Sequence, residues 1–295
     1  MAHTKEKIPL APRIPKKTLA LATASVAVTA LCVVAPNITA SASSPAAAPA
    51  SSASERMSSF EKFEASTYRD IDGQWIVNGD EAIRTRTELR AFYNMLVGKS
   101  PTKSGQKLIV NQVNGEDDVW TSSQVGNLTY CVSTRFGSNH SRIVEAMRAG
   151  TAQWEQASGA INFRYVSDQD GSCNTRNYKV TFSVEPASYS APYIARAFFP
   201  SSPKYSRNIL VNTSSIFGGR APAANVMAHE LGHVLGLRHE HTRPEARTCF
   251  EDDNWRPLTP YDSSSIMHYP QCNGTSSDLS MTRTDVTGIQ ELYGS

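Results

Sequence analysis

The chain has 295 residues, 40% of them hydrophobic and 19% charged, which supplies enough apolar material for a sizeable core and excludes disorder throughout. The formal net charge of +2 hides an uneven distribution. Lys5, Lys7, Arg13, Lys16 and Lys17 face only Glu6 in the first 42 residues, while residues 111–295 hold 15 Lys and Arg against 18 Asp and Glu, so no basic stripe points to a nucleic-acid partner.

The early cations precede an uncharged apolar run ending at Pro36, and Ala40 and Ala42 then form an A-x-A site. This is the pattern of a secretory signal peptide over residues 1–42. The run approaches membrane-spanning length, but it is rich in Ala and Thr and the small-residue site follows it directly, so the reading is a cleaved signal and a secreted, extracellular product with no membrane contact. Residues 43–56 are a Ser/Ala/Pro linker that cannot bury a core. Four cysteines remain, Cys131, Cys173, Cys249 and Cys272. In an oxidising compartment the default is two disulfides with three possible pairings, of which Cys131 with Cys173 and Cys249 with Cys272 are the nearest in sequence.

Residues 57–110 read as a small unit that is not self-sufficient, with a strand and turn in "WIVNGD" and a helix in "TRTELRAFYNMLVG". Thr85 and Glu88 supply a capping box, and Leu89, Phe92 and Leu96 share one face of that helix. In a secreted chain such a unit is expected to be a propeptide that inhibits the protein it precedes. Residues 111–295 are denser. Strand patterns fall at "NLTYCVS", "INFRYVS", "YKVTFSVEP", where Tyr178, Val180, Phe182 and Val184 alternate, "ARAFFP" and the continuous apolar "RNILVN". Helical spacing runs through "NHSRIVEAMRAGTAQWEQAS" and "PAANVMAHELGHVLGL". The order predicts one α+β domain on a twisted mixed β-sheet.

The second helix carries the chemistry. His229 and His233 lie four apart on one face, where two imidazoles can share a cation. A catalytic zinc keeps three protein ligands and an open position. Gly236 can end the helix in a left-handed turn that brings His239 to the same Zn2+ ion as third ligand. Glu230 is left free to act as general base on the zinc-activated water and to return the proton to the leaving amine. The competing reading is a core helix with incidental histidines. His241 is read as a surface or supporting histidine, and His140 and His268 as ordinary ones.

"HELGHVLGLRH" together with Met267 in "SSSIMHYP" resembles the metzincin zinc endopeptidases. The resemblance implies an active-site helix, a methionine turn with Met267 beneath the metal, a closing C-terminal helix in "DVTGIQELYG", and a protein or peptide substrate bound extended by a monomer. "HEHTRP" and "SIMHY" are similar to astacins, which would make Tyr269 a fifth zinc ligand and an oxyanion donor; the alternative is a buried aromatic whose hydroxyl bonds elsewhere. Glu240 matches the astacin glutamate that holds the mature amino terminus. "IARAFFP" is similar to the substrate-pairing edge strand of matrixins, with Arg196 where these often carry a histidine for a second zinc, so no second zinc is expected; plain core sheet is the alternative for Ala195 to Phe199. The astacin propeptide places an aspartate of F-x-G-D on the metal, and Asp80 in "VNGD" is the candidate latency switch, although Asn-Gly-Asp also suits an ordinary turn. The expected function is peptide-bond hydrolysis. The rival is a non-catalytic zinc-containing binding or adhesion protein on the same scaffold, which would be expected to lose the glutamate that Glu230 preserves.

Overall fold

In chain order the elements of the computed structural model, which describes residues 59–97 and 108–295, are α1 (Ser59–Ser66), β1 (Trp75–Val77), β2 (Glu81–Ile83), α2 (Arg86–Val97), β3 (Ile109–Val113), β4 (Glu116–Asp117), α3 (Ser122–Val125), β5 (Leu128–Val132), α4 (His140–Ala157), β6 (Phe163–Tyr165), β7 (Phe182–Pro186), β8 (Ala195–Arg196), β9 (Asn208–Val211), α5 (Thr213–Gly218), α6 (Ala223–Val234), β10 (Trp255–Pro257) and α7 (Arg283–Tyr293). The expected signal peptide and linker lie outside the described residues.

The main sheet has the order β6-β5-β7-β9-β8. Its first four strands are parallel, and β8 runs antiparallel along β9 with Ala195 opposite Val211. Every residue of β5 and β9 is buried, as apolar runs covered on both faces require. The helices α4 and α6 pack together, because Gly150 leaves no room for a side chain against the backbone of Ala228, and the indole of fully buried Trp154 donates to Ala228 O at 2.7 Å.

Two parts of the sheet reading need correction. Tyr178 alternates with Val180 and Phe182 in sequence, yet β7 starts only at Phe182 and Tyr178 is 81% exposed. Asn174 and Asn177 cap local turns that carry this segment away from the sheet, a use of short polar side chains that competes with strand pairing. The expected strand over Ala195 to Phe199 shortens to Ala195 and Arg196, after which Ala197 and Phe198 turn into the core.

A second sheet, β10-β3-β4, was not legible as strands. β3 straddles the expected boundary near residue 110, with Ile109 and Val110 fully buried and paired with Pro257 and Arg256. The amino-terminal segment forms α1, the β1-β2 hairpin and α2. The capping box forms, with Glu88 N–H donating to Thr85 Oγ1 and Thr85 N–H to Glu88 Oε2. Leu89 and Phe92 are buried against Phe60, Trp75 and Val77. Both disulfides join the neighbouring cysteines, Cys131 to Cys173 and Cys249 to Cys272, with Cα separations of 5.6 and 5.7 Å.

Candidate metal centre and active site

The helix α6 presents His229, Glu230 and His233, and ends in a Schellman turn. Leu237 N–H donates to Gly232 O and Gly236 N–H to His233 O, both at 2.9 Å. Gly236 has φ +96°, and a Cβ there would stand 2.3 Å from Asp118 O, so glycine is required twice over. Bonds from Asn111 N–H to Gly236 O and from Arg238 N–H to Ile109 O fix the turn to β3. This delivers His239 beside the other two rings, with centroid separations of 5.1, 5.3 and 4.7 Å among the three histidines.

The outer nitrogen of each ring is occupied. His229 Nδ1–H donates to Ile266 O at 2.7 Å and His233 Nδ1–H to Leu237 O at 2.8 Å. A carbonyl can only accept, so in the neutral imidazoles it is Nε2 that carries the lone pair. His239 Nδ1 lies 2.7 Å from Glu251 Oε1. The Nε2 atoms of His233 and His239 are buried and have no hydrogen-bond partner among the described residues. The ligand atoms of all three rings and a carboxylate oxygen of Asp80 lie within 4.8 Å of one another. Ring nitrogens converging on one point, each ring oriented from behind, are what a zinc site demands, and the residues fit the ion.

Asp80 is placed in this cluster by the β1-β2 hairpin. Val77 pairs with Glu81, and Asn78 and Gly79 take positive φ (55° and 99°) to close the turn. Asp80 is 3% exposed, with carboxylate oxygens 3.3, 3.7 and 3.2 Å from Nε2 of His229, His233 and His239. The Tyr269 hydroxyl donates to Asp80 Oδ2, and its ring lies 4.5 Å from that of His239. Burial, then the Asp80 charge, raises the Tyr269 pKa, keeping the phenol protonated. Burial also pushes His233 down to about 4. It opposes the protonation of His239, but Asp80 and Glu251 on either side of that ring outweigh it. Glu230 is 2% exposed and its Oε2 is unpartnered; burial, then the Asp80 charge, holds its carboxyl well above the usual range.

Met267 lies under the helix in a turn closed by His268 N–H to Ser265 O. A Cβ on Gly232 would meet the Met267 sulfur at 2.4 Å, so helix and turn touch directly. Asp285 and Glu251 escaped the sequence reading, as did the partners of His241, Glu240 and Arg196. Asp285, buried at the start of α7, accepts from Ile266 N–H and Ser265 Oγ and anchors the methionine turn. Glu251 reaches His239, His241 and Arg238. His241 is 1% exposed, takes the Tyr269 N–H on Nδ1 at 3.2 Å, and is pushed down to about 4 by burial. Glu240 pairs with Arg243 at 3.0 Å and accepts the Asp262 N–H. Arg196 is fully buried and bonds Asp70 (2.7 Å), Asp72 and Asn208, while Tyr193 also donates to Asp70. The only signal in the sequence for these partners was charge in otherwise apolar surroundings, which names no partner. His140 bonds Asp170, and His268 bonds Tyr261 with its ring 5.5 Å from that of His241.

The matrixin family model matches residues 119–246. The chain is 24% identical over 229 residues to tolloid-like protein 1 of Mus musculus, covering 68% of this chain and 20% of that protein. It is 27% identical over 165 residues to the zinc metalloproteinase nas-39 of Caenorhabditis elegans, covering 49% and 15%. Over 72 residues, 19% of the chain, identity to high choriolytic enzyme 1 of Oryzias latipes is 36%, covering 26% of that enzyme. The chain thus spans a fifth or less of the first two relatives' length. The three histidines, the methionine turn, the mixed sheet and these matches make the chain similar to the metzincin class of metalloproteases. Its sequence carries features similar to both the matrixin and the astacin branches of that class.

Proposed function

We propose that the chain is a secreted zinc-dependent endopeptidase, made with an amino-terminal segment that blocks its own site. The observation that carries this reading is the convergence of three buried imidazoles, two with orphaned Nε2 atoms, beside the unpartnered carboxylate oxygen of Glu230. His229, His233 and His239 hold the zinc, which when bound supplies Lewis acidity and brings a water's pKa toward neutrality. Glu230 accepts a proton from the attacking water and delivers it to the leaving amine. The Tyr269 hydroxyl, once parted from Asp80, is a donor for negative charge developing on the carbonyl oxygen. β8 is the outer strand of its sheet among the described residues, so its backbone can pair with an extended peptide. A cavity of about 400 Å³ beside Glu230, walled by Val226, Leu279, Tyr193 and Pro270, accepts a side chain of the substrate.

Asp80 fills the space that the reaction needs, and the segment around it is tied down by Asp70 and Asp72 on Arg196 and by Glu81 on Arg238 (3.0 Å). Removal of that segment is therefore the activating step. Two disulfides suit an oxidising compartment, and no helix among the described residues is long and apolar enough to cross a membrane. The test is casein hydrolysis by the full chain before and after removal of the segment, with and without a chelator. Activity is expected only after removal and only without chelator. Chelator-insensitive hydrolysis would overturn the zinc reading. Full activity of the uncleaved wild type would overturn the latency reading alone.

A further inference from the structure

A second pocket, of about 350 Å³, opens at the amino-terminal ends of the parallel strands β5, β7 and β9 and shares no residue with the cavity beside Glu230. Lys179, Lys204 and Arg207 line it, and no carboxylate does among the described residues. The Lys204 ammonium is buried without a hydrogen-bond partner among the described residues; the Tyr178 ring centroid is 6.0 Å away. The Arg207 guanidinium lies 4.7 Å over Trp120 while donating to Ser202 O and Pro200 O. Two carboxylates in the neighbourhood, Glu185 and Asp118, attract Lys204 and Arg207 electrostatically but form their bonds elsewhere. Glu185 pairs with Arg135 and Ser183, and Asp118 with Ser201 and Asn111.

Burying an ammonium among like charges without an acceptor costs stability. Burial, then the facing Arg207, pushes Lys204 down to about 8 against the pull of Glu185, in the direction that cost requires. The arrangement is not a loosely draped surface. The wall bearing Tyr178 and Lys179 follows directly on Cys173, which is stapled to β5. The floor is closed by Thr129 and Thr181, whose hydroxyls meet at 3.1 Å. Rigid walls, a desolvated cation and no carboxylate among the described lining residues describe a site preorganised for an anion.

We infer that this pocket binds an oxyanion, with Lys204 as its central ligand and Lys179 and Arg207 at its sides. The oxyanion is either a free inorganic ion or a carboxylate carried on a peptide, and the exposed Tyr178 beside the cations offers a ring face to the larger of the two. The site does not depend on the proteolytic reading, since it can be occupied whether or not the chain cleaves peptides.

The test is thermal unfolding of the full chain titrated with inorganic phosphate, and separately with a hexaglutamate peptide, against chloride at matched ionic strength. The melting temperature is expected to rise saturably with at least one probe, as ligand binding to the folded state alone requires. Lys204→Met should lose that rise, with at least tenfold weaker binding, and should melt no lower than wild type in chloride because the unpaired charge is gone. Lys179→Met, at an exposed position, should bind several-fold more weakly without altering the fold. A tighter response to hexaglutamate than to phosphate assigns the site to a peptide carboxylate; the reverse assigns it to a free ion. No saturable rise with either probe, or a rise retained in Lys204→Met, overturns the inference.

Discussion

Glu251 is the residue on which His239, the proposed third ligand, depends. Its carboxylate orients His239 from the far side of the ring at 2.7 Å and faces His241 Nε2 at 3.2 Å, and His241 in turn holds the backbone of Tyr269. Carboxylate partners of metal-bound imidazoles fix the ring and raise its basicity, and losing one costs about 10–100-fold in metal affinity. Glu251→Gln is therefore expected to weaken zinc binding by about that factor in a chelator competition assay on the processed protein, with partial recovery in Glu251→Asp. Unaltered affinity in Glu251→Gln would remove this role. Asp80→Ala is expected to give the unprocessed chain measurable peptide hydrolysis, because the remaining contacts of the segment do not reach the metal position. An unprocessed Asp80→Ala protein as silent as wild type would mean that the segment blocks by bulk and not by its carboxylate.

At the scale of elements, the amino-terminal segment is held by two buried guanidinium groups, one on β8 and one just past the turn that ends α6. Arg196 and Asp70 are both fully buried at their side chains, where removing one partner of an ion pair costs about 3–5 kcal/mol. Replacing Asp70 and Asp72 together by Asn should expose the hairpin, seen as amide exchange over residues 68–83 faster by about a hundredfold or more, the rate equivalent of about 3 kcal/mol. Exchange at the wild-type rate would show that the apolar contacts of Ile76 with Tyr193 and Leu210 suffice. The disulfide between Cys249 and Cys272 encloses Glu251 and the methionine turn across a sequence separation of 23 residues. Opening such a loop costs about 3 kcal/mol, so the double Cys→Ser variant should melt several degrees lower and bind zinc more weakly. A variant that melts lower but keeps zinc would confine the bridge to stability.

For the molecule as a whole, what could be read in advance followed from local rules. The three histidines, Glu230 and Gly236 are legible because helical spacing and a left-handed glycine are properties of a few consecutive residues. The same holds for the capping box at Thr85 and Glu88 and for the buried run of β9. What escaped reading is long-range. Arg196 meets Asp70 and Asp72 more than 120 positions away, Asp285 anchors a turn on another element, and β10 pairs with β3 across well over a hundred residues. No periodicity records such partners. Tyr178 misled for the opposite reason, since its alternation was genuine and the Asn turns beside it overrode it.

The central claim is that His229, His233 and His239 hold one zinc for a reaction whose proton is handled by Glu230. It is tested most directly by measuring zinc content and peptide turnover together on processed wild type and Glu230→Gln. Both proteins are expected to retain one zinc per chain, with turnover in the variant lower by at least about 10²–10⁴-fold, the usual contribution of a general base. Equal turnover in the two proteins, or a wild type that hydrolyses peptides without metal, would contradict it.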